Sequence, residues 1–491
     1  MRRWELSVPL DEASPTPLFV QIARALAEDI RRGRLKPGVA LPGSRALATT
    51  LRVHRNTVLA AYQELEAQGW ISTVPARGTF VSTALPDVAA APVEAPGPRS
   101  LDSVGFPLEP PLESREPVEF PRGALVMASG TPDVRLLPVE VLARAWRRAF
   151  KLGGQRLLDY AGPQGHPRLR AALAQMLVSV RGLAATPDSL LVTRGSQGAL
   201  YLAARTLVRP GDRVAVEALG YRPAWEALRS VGAQLVPIPV DDEGIRVDRI
   251  EAAAGRQGLR AVYLTPHHQY PTTVTLSPAR RLALLAWARD SGCAVIEDDY
   301  DHEFHYDGRP VLPLASADRD NVVIYVGTLS KVLAPGLRVG FLFAPLPFIR
   351  RAASLRAVVD RQGDLVAEYA LAELLEEGEL QRHVRKMRGL YLSRRDAIVE
   401  ALRRELSGAL DFTVPAGGMT LWARCDPGID AAIWAERARD VGVWFSHGGQ
   451  YTFDGQPFPA VRLGFANLKE TELREAVRRM ARVRPRRSGG G

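Results

Sequence analysis

The stretch Val326-Gly-Thr-Leu-Ser-Lys331-Val-Leu-Ala-Pro-Gly-Leu-Arg338-Val-Gly340 decides how the rest of the chain is read. It continues an apolar, β-branched run, Val322-Val-Ile-Tyr-Val326, that reads as a buried strand. A lysine at the mouth of an apolar sheet loses charge by desolvation and becomes an amine nucleophile. Thr328 and Ser330 bring hydroxyls to the same turn, and Arg338 adds the cation that a phosphate dianion requires. A single lysine in a polar loop is more commonly a solvated surface residue. The whole run around Lys331 sets it apart.

Outward from this segment, similar runs recur: Leu190-Leu-Val-Thr193, Arg213-Val-Ala-Val216, Ala261-Val-Tyr-Leu264, Ala294-Val-Ile296 and Val339-Gly-Phe-Leu-Phe343. Near-continuous apolar strands separated by helical stretches predict an α/β domain whose sheet is mostly parallel and covered on both faces. Functional residues of such sheets collect where strands end. Gly195-Ser196-Gln197 follows one strand and opens a helix, where backbone N–H groups favour a phosphate, although the tripeptide alone is a weak signal. Ile296-Glu-Asp-Asp-Tyr300 ends another strand. A buried anion there suits a protonated ring nitrogen; Asp298 is the candidate, with Asp299 one residue away as the alternative, and Tyr300 can donate to a ring oxygen. Tyr221, in Glu217-Ala-Leu-Gly-Tyr221, is placed to stack on a planar ring.

The first part of the chain has a different pattern. Leu18, Ile22, Leu26 and Ile30 recur at helical spacing before Gly33 and Pro37-Gly38 stop the helix. Ser44 suits the cap of a second, short helix ending near Leu51, and a third runs from about Arg55 to Gln68, with Val58, Tyr62 and Leu65 inward. Two β-type runs, Trp70–Val74 and Thr79–Ser82, follow around Pro75-Ala-Arg-Gly78. Helix, short helix, turn, helix and hairpin is the order of a winged helix-turn-helix, although such a module can also serve only to pack or dimerise.

Composition bounds the rest. The chain has 491 residues, 46% hydrophobic and 24% charged, with a net charge of +10. That charge is compatible with nucleic acid but places nothing by itself. No apolar run reaches membrane-spanning length, and Met1-Arg-Arg-Trp-Glu5 lacks a signal-peptide core, so a cytoplasmic protein without a membrane is expected. Cys293 and Cys425 give neither a disulfide scaffold nor metal-ligand spacing, and no metal is expected. Residues 84–121, dense in Pro, Ala and Glu, read as a linker between a winged-helix domain at 1–83 and a large domain at 122–491; Arg482 to Gly491 reads as a frayed tail.

Both parts resemble known families. Leu41-Pro-Gly-Ser-Arg-Ala-Leu-Ala48, His54-Arg-Asn-Thr-Val-Leu-Ala-Ala-Tyr62 and Arg77-Gly-Thr-Phe80 resemble the DNA-binding domain of the GntR superfamily. The resemblance implies that the third helix enters the major groove, with Arg45, Arg55, Asn56, Thr57, Arg77 and Gly78 meeting DNA; His54 stands where the family usually has a capping serine. The lysine segment, with Tyr160-Ala-Gly-Pro-Gln-Gly-His-Pro-Arg-Leu-Arg170, Thr265-Pro-His-His-Gln-Tyr-Pro271 and Val461-Arg-Leu-Gly-Phe465, resembles fold-type I enzymes that use pyridoxal 5′-phosphate (PLP). This implies a mostly parallel sheet with a smaller C-terminal α+β subdomain. It also implies that Lys331 holds PLP in a Schiff base, that Tyr160 reaches the phosphate of a neighbouring subunit, and that Arg462 grips the carboxylate of an amino-acid ligand.

Joined, the halves resemble the MocR subfamily of GntR regulators. That resemblance implies a PLP-dependent DNA-binding regulator, a homodimer arranged head-to-tail, an operator with two half-sites and an amine or amino-acid effector. The alternative is an active aminotransferase with an appended DNA-binding module. Tyr270-Pro271 where Asn-Pro is usual, Thr273 where glycine is common, and Ala218-Leu219 where Asp-Pro is usual weaken the case for turnover more than for PLP binding.

Overall fold

The computed structural model describes residues 8, 10–11, 13–86, 106–108, 119–128, 130–308 and 311–485. Two compact units divide at Arg115 and Glu116. Most of the expected linker, 84–121, and residues 486–491 of the expected tail lie outside the described residues.

In the smaller unit, the helical spacing noted above buries Ile22, Leu26 and Ile30 on one side of the helix Leu18–Arg31. They meet Val58, Ala61, Tyr62 and Leu65 from the helix Arg55–Ala67, one residue shorter than expected. Tyr62 donates its hydroxyl proton to the Pro42 carbonyl at 2.7 Å, which ties that helix to the turn before Ser44–Leu51. Gly43, not Ser44, holds the cap position of the short helix, and Ser44 is its first helical residue. His54 proves a working cap, because its Nδ1 accepts the Asn56 N–H at 3.2 Å. The strands Ile71–Val74 and Gly78–Val81 pair antiparallel, completing helix, helix, helix and wing.

The larger unit is built on a seven-stranded sheet. Its order is Leu190–Thr193, Gly340–Phe343, Val323–Thr328, Ala294–Asp299, Ala261–Leu264, Arg213–Glu217, Gln234–Ile238. Gly340–Phe343 runs antiparallel to both its neighbours; the remaining pairings are parallel. The strands other than the edge strand Gln234–Ile238 are buried along almost their whole length because helices cover both faces, as continuous apolar runs require. A four-stranded antiparallel sheet, Leu410–Asp411, Thr420–Cys425, Ala460–Gly464 and Ser446–His447, forms the C-terminal subdomain with the helix Glu470–Arg482, so Arg482 ends a helix. The register sets Asp299 beside Gly327 and Thr328 beside Gly340, which aligns the strand ends that carry the site.

Candidate functional site

Those strand ends open into a cavity of about 220 Å³ lined by Ser196, Tyr221, Asp298, Tyr300, Thr328, Ser330, Lys331, Arg338 and Arg462. Residues that sequence reasoning missed line it too: Ala128, Gly130, Thr131, Thr265, Tyr270 and Pro335. Thr265 and Tyr270 stand inside a quoted motif. Gly130 carried no signal, being 201 residues from the lysine whose Nζ donates to its carbonyl at 3.0 Å.

Lys331 follows the strand Val323–Thr328 directly. Burial, with the Arg462 guanidinium nearby, lowers its pKa to about 8, so a neutral amine is within reach near neutral pH. Asp298 is buried at the end of Ala294–Asp299. Its Oδ2 accepts the Tyr263 hydroxyl proton at 2.9 Å, and its Oδ1 has no partner among the described residues. Burial pushes its pKa up to about 7. Asp299 points elsewhere: it accepts from the Tyr325 hydroxyl at 2.6 Å and lies 3.7 Å from the Arg181 guanidinium. His302 and Arg181 hold its carboxyl below the usual range despite burial. Only Asp298 of the pair lines the cavity.

Gly195 opens the helix Gly195–Leu207 at φ +70°, the left-handed region that favours glycine. A Cβ there would lie 3.0 Å from Arg338 Cζ, so the bare backbone lets the guanidinium lie against the helix N-terminus. The guanidinium, the N–H groups of the helix start and the Ser330 hydroxyl, which has no partner among the described residues, are the groups an anion would need. The Thr328 hydroxyl accepts the Ser330 N–H at 3.1 Å, which shapes the turn. Arg462, buried mid-strand in Ala460–Gly464, stands 4.3 Å above the Tyr270 ring, and its Nε lacks a partner among the described residues. The Tyr221 and Tyr270 rings meet edge-to-face at 5.2 Å.

Three expected residues stand differently. Tyr300 lines the cavity but donates its hydroxyl proton to the His268 carbonyl at 2.9 Å, not into open space. The Gln197 side chain turns to the Pro223 carbonyl at 2.9 Å, leaving only its place in the first helical turn. Tyr160 is 74% exposed with the Arg361 guanidinium 4.1 Å over its ring, so within one chain it is not among the residues lining the cavity. Glu217, singled out by no motif, lies buried nearby, accepts from the Thr265 hydroxyl at 2.9 Å and is pushed up to about 8 by burial.

In the smaller unit, Arg45, Arg55 and Asn56 are exposed at the starts of two helices, Thr57 is half-buried, and Arg77 and Gly78 are exposed on the wing. Arg55 Nε lies 3.4 Å from Ser44 Oγ, which brings the two helix starts together.

The aminotransferase class I and II family model matches residues 124–480, and that of the bacterial regulatory proteins of the gntR family matches 18–81. The probable rhizopine catabolism regulatory protein MocR of Rhizobium meliloti is 33% identical, covering 95% of this chain and 94% of that protein. The HTH-type pyridoxine biosynthesis transcriptional regulator PdxR of Corynebacterium glutamicum is 32% identical, covering 96% of each. Among solved structures, the multiple substrate aminotransferase from Thermococcus profundus is similar with a TM-score of 0.69 and 32% identity, over 74% of this chain and 91% of that one.

Proposed function

This chain belongs to the aminotransferase class I and II family, in the two-part architecture of the MocR-type regulators, and from that premise we propose how its residues work. It is an HTH-type transcriptional regulator with an aminotransferase-like domain, and its cofactor family is that of PLP. The observation that carries the reading is the convergence of Lys331, Asp298, Arg338 and Arg462 on one cavity.

The residues present fit PLP. Asp298 Oδ1, Ser330 Oγ and Arg462 Nε are buried and unpartnered among the described residues, and each matches a group that PLP or an amino-acid ligand would bring. Lys331 supplies the amine that bonds the cofactor, Asp298 accepts from the ring nitrogen, and Tyr221 covers the ring. Arg338, Thr328, Ser330 and the helix start Gly195-Ser196-Gln197 take the phosphate. PLP, when bound, supplies an electrophilic aldehyde carbon and an electron-withdrawing ring. Burial raises the carboxyl of Asp298; a protonated ring nitrogen beside it would restore its charged form. Arg462 orients the carboxylate of an amine-bearing effector by a forked pair of hydrogen bonds.

The exposed Tyr160 suits a contact from a second subunit, as a head-to-tail homodimer with two DNA-binding modules and two operator half-sites requires. A cytoplasmic site of action fits this role; among the described residues no helix is long and apolar enough to cross a membrane. Effector binding shifts DNA affinity only by as much as it favours one dimer arrangement over another. Regulation, with little or no transaminase turnover, accounts for both units; an enzyme alone leaves the basic winged helix without work.

The test is a titration of the full chain against its own upstream DNA, with and without PLP, beside Lys331→Ala. PLP should change the affinity of the parent at least about tenfold, roughly 1.4 kcal/mol. Borohydride should fix the cofactor on Lys331 and nowhere else, and Lys331→Ala should lose both responses. Identical binding curves with and without PLP would overturn the reading.

A further inference from the structure

Behind the cofactor cavity, two loops bring four histidines together. His267 and His268 follow the strand Ala261–Leu264, while His302 and His305 lie in the turn after Ala294–Asp299. We infer that His267, His268 and His305 form a binding site for a divalent transition-metal ion of the Zn2+ class. The sequence carried no such signal, because the two pairs stand far apart in the chain and neither has metal-ligand spacing on a single element.

Three observations carry the inference. One ligand atom from each of the three histidines lies within 4.8 Å of the others. His267 is 2% exposed, and neither of its ring nitrogens has a hydrogen-bond partner among the described residues. His268 is held through Nδ1 by the buried Asp301 carboxylate at 2.8 Å, which fixes the ring and leaves Nε2 as the coordinating atom. A carboxylate behind a histidine is the usual orienting device of metal-bound imidazoles, and it raises ligand basicity.

Core filling is the competing account. An apolar side chain would fill the space of His267 without burying an unpaired N–H, so a packing role leaves that residue unexplained. Two carboxylates flank the cluster: Asp301 backs His268, and the Asp299 carboxylate lies 3.2 Å from His302. The His302 ring lies 4.7 Å from that of His267 and closes one side of the cluster. His305 is half-buried as a residue, and the fourth position is left to water. Zinc–nitrogen bonds of about 2.0–2.1 Å in tetrahedral geometry put ligand nitrogens roughly 3.4 Å apart. Ligand nitrogens up to 4.8 Å apart therefore draw together by up to about 1.4 Å as the ion enters, through side-chain rotation.

The experiment uses the full chain after dialysis against a chelator, titrated with zinc chloride in competition with a chromophoric indicator. One Zn2+ should bind per chain. His267→Gln and His305→Gln should each weaken it at least about a hundredfold, the upper end of what loss of an orienting partner alone costs. His54→Gln, on the exposed start of a helix in the other unit, should change nothing. A second measurement needs no variant: Co2+ added to the parent chain should develop the intense visible absorption of a low-symmetry imidazole site. Absence of stoichiometric Zn2+ binding, an aquo-like Co2+ spectrum, or equal affinity in the parent and both site variants would overturn the assignment.

Discussion

The helix Arg55–Ala67 and the strand Ala294–Asp299 each place candidate functional side chains at one end, and they do so in opposite ways. On the helix, Arg55 and Asn56 stand in solvent above a core made by Val58, Ala61, Tyr62 and Leu65. On the strand, Glu297, Asp298 and Asp299 are all buried. An exposed charge costs the fold little and exerts a screened field, so its removal changes partners and not stability. A buried charge exists only because specific groups hold it, so its removal disturbs packing, protonation and ligand together. The two candidate sites of this chain thus stand in opposite settings, one on the surface and one in the interior.

The sharpest way to break that comparison lies in the two adjacent aspartates. Asp299→Asn removes the carboxylate between Tyr325, Arg181 and His302, and the fold should lose about 3–5 kcal/mol, as for other broken buried ion pairs. Asp298→Asn keeps the bond from Tyr263 and, at about pH 3 where Asp298 is protonated folded and unfolded alike, should shift stability by less than about 1 kcal/mol, while at neutral pH it should reduce PLP retention at least about tenfold. Acidity separates the pair again. Asp299 has a depressed folded pKa, so its contribution is present above 3.8 and lost as pH falls through the folded value. Asp298 has a folded pKa raised to about 7, so the folded chain holds its proton more tightly than the unfolded one. Its contribution is therefore full below 3.8 and lost as pH rises towards about 7. Denaturant titrations from about pH 1 to pH 8 read both signs; equal stability losses in the two variants would dissolve the distinction.

That pair also marks where the sequence stops being legible. The strands, their mainly parallel arrangement, Lys331 just past one strand, Arg338 in the loop before the next and Arg462 within a third follow from apolar runs and short motifs, since these are local features. Neighbouring residues on a strand face opposite sides of the sheet, so which aspartate meets the cavity depends on what covers each side. Tyr263 lies on one side, Arg181 and Tyr325 on the other, and none of them is near in sequence. Gly130, Glu217 and the histidine cluster were hidden for the same reason: each acts through a neighbour brought close only by folding. The caps show the reverse, local error. His54 does through Nδ1 what a serine hydroxyl does, and Ser44 loses the cap to Gly43 by a shift of one residue.

On the exposed side, the comparison predicts effects on affinity without effects on stability. Arg55→Ala should cost about 1–3 kcal/mol against operator DNA and relax preference at one position, as loss of a base-reading contact does. Arg45→Ala should weaken operator and scrambled DNA alike and lower the salt slope by about one unit, as loss of a phosphate contact does. Both variants should melt with the parent. Binding isotherms at several salt concentrations distinguish the roles; parent-like binding by both variants would remove the DNA-reading role from these helices.

The smallest expected effect tests whether strain in the larger unit belongs to its site. Thr273 adopts φ +64°, a region costly to a β-branched residue, and its N–H donates to the Gln269 carbonyl at 2.7 Å. Its side chain lines a surface cleft with Val240, Asp242 and Phe412, not the cofactor cavity. Releasing the left-handed strain is worth about 1–2 kcal/mol, and the greater freedom of glycine in the unfolded chain takes back about half of that. Thr273→Gly should therefore stabilise the fold by roughly 0.5–1 kcal/mol, seen as a higher denaturant midpoint at unchanged slope. PLP retention and DNA affinity should stay at parent values, because the turn keeps its backbone bond. If the variant instead gains transaminase turnover with an ordinary amino acid and keto acid, the threonine is a brake on catalysis, and strain and chemistry in this unit are one feature.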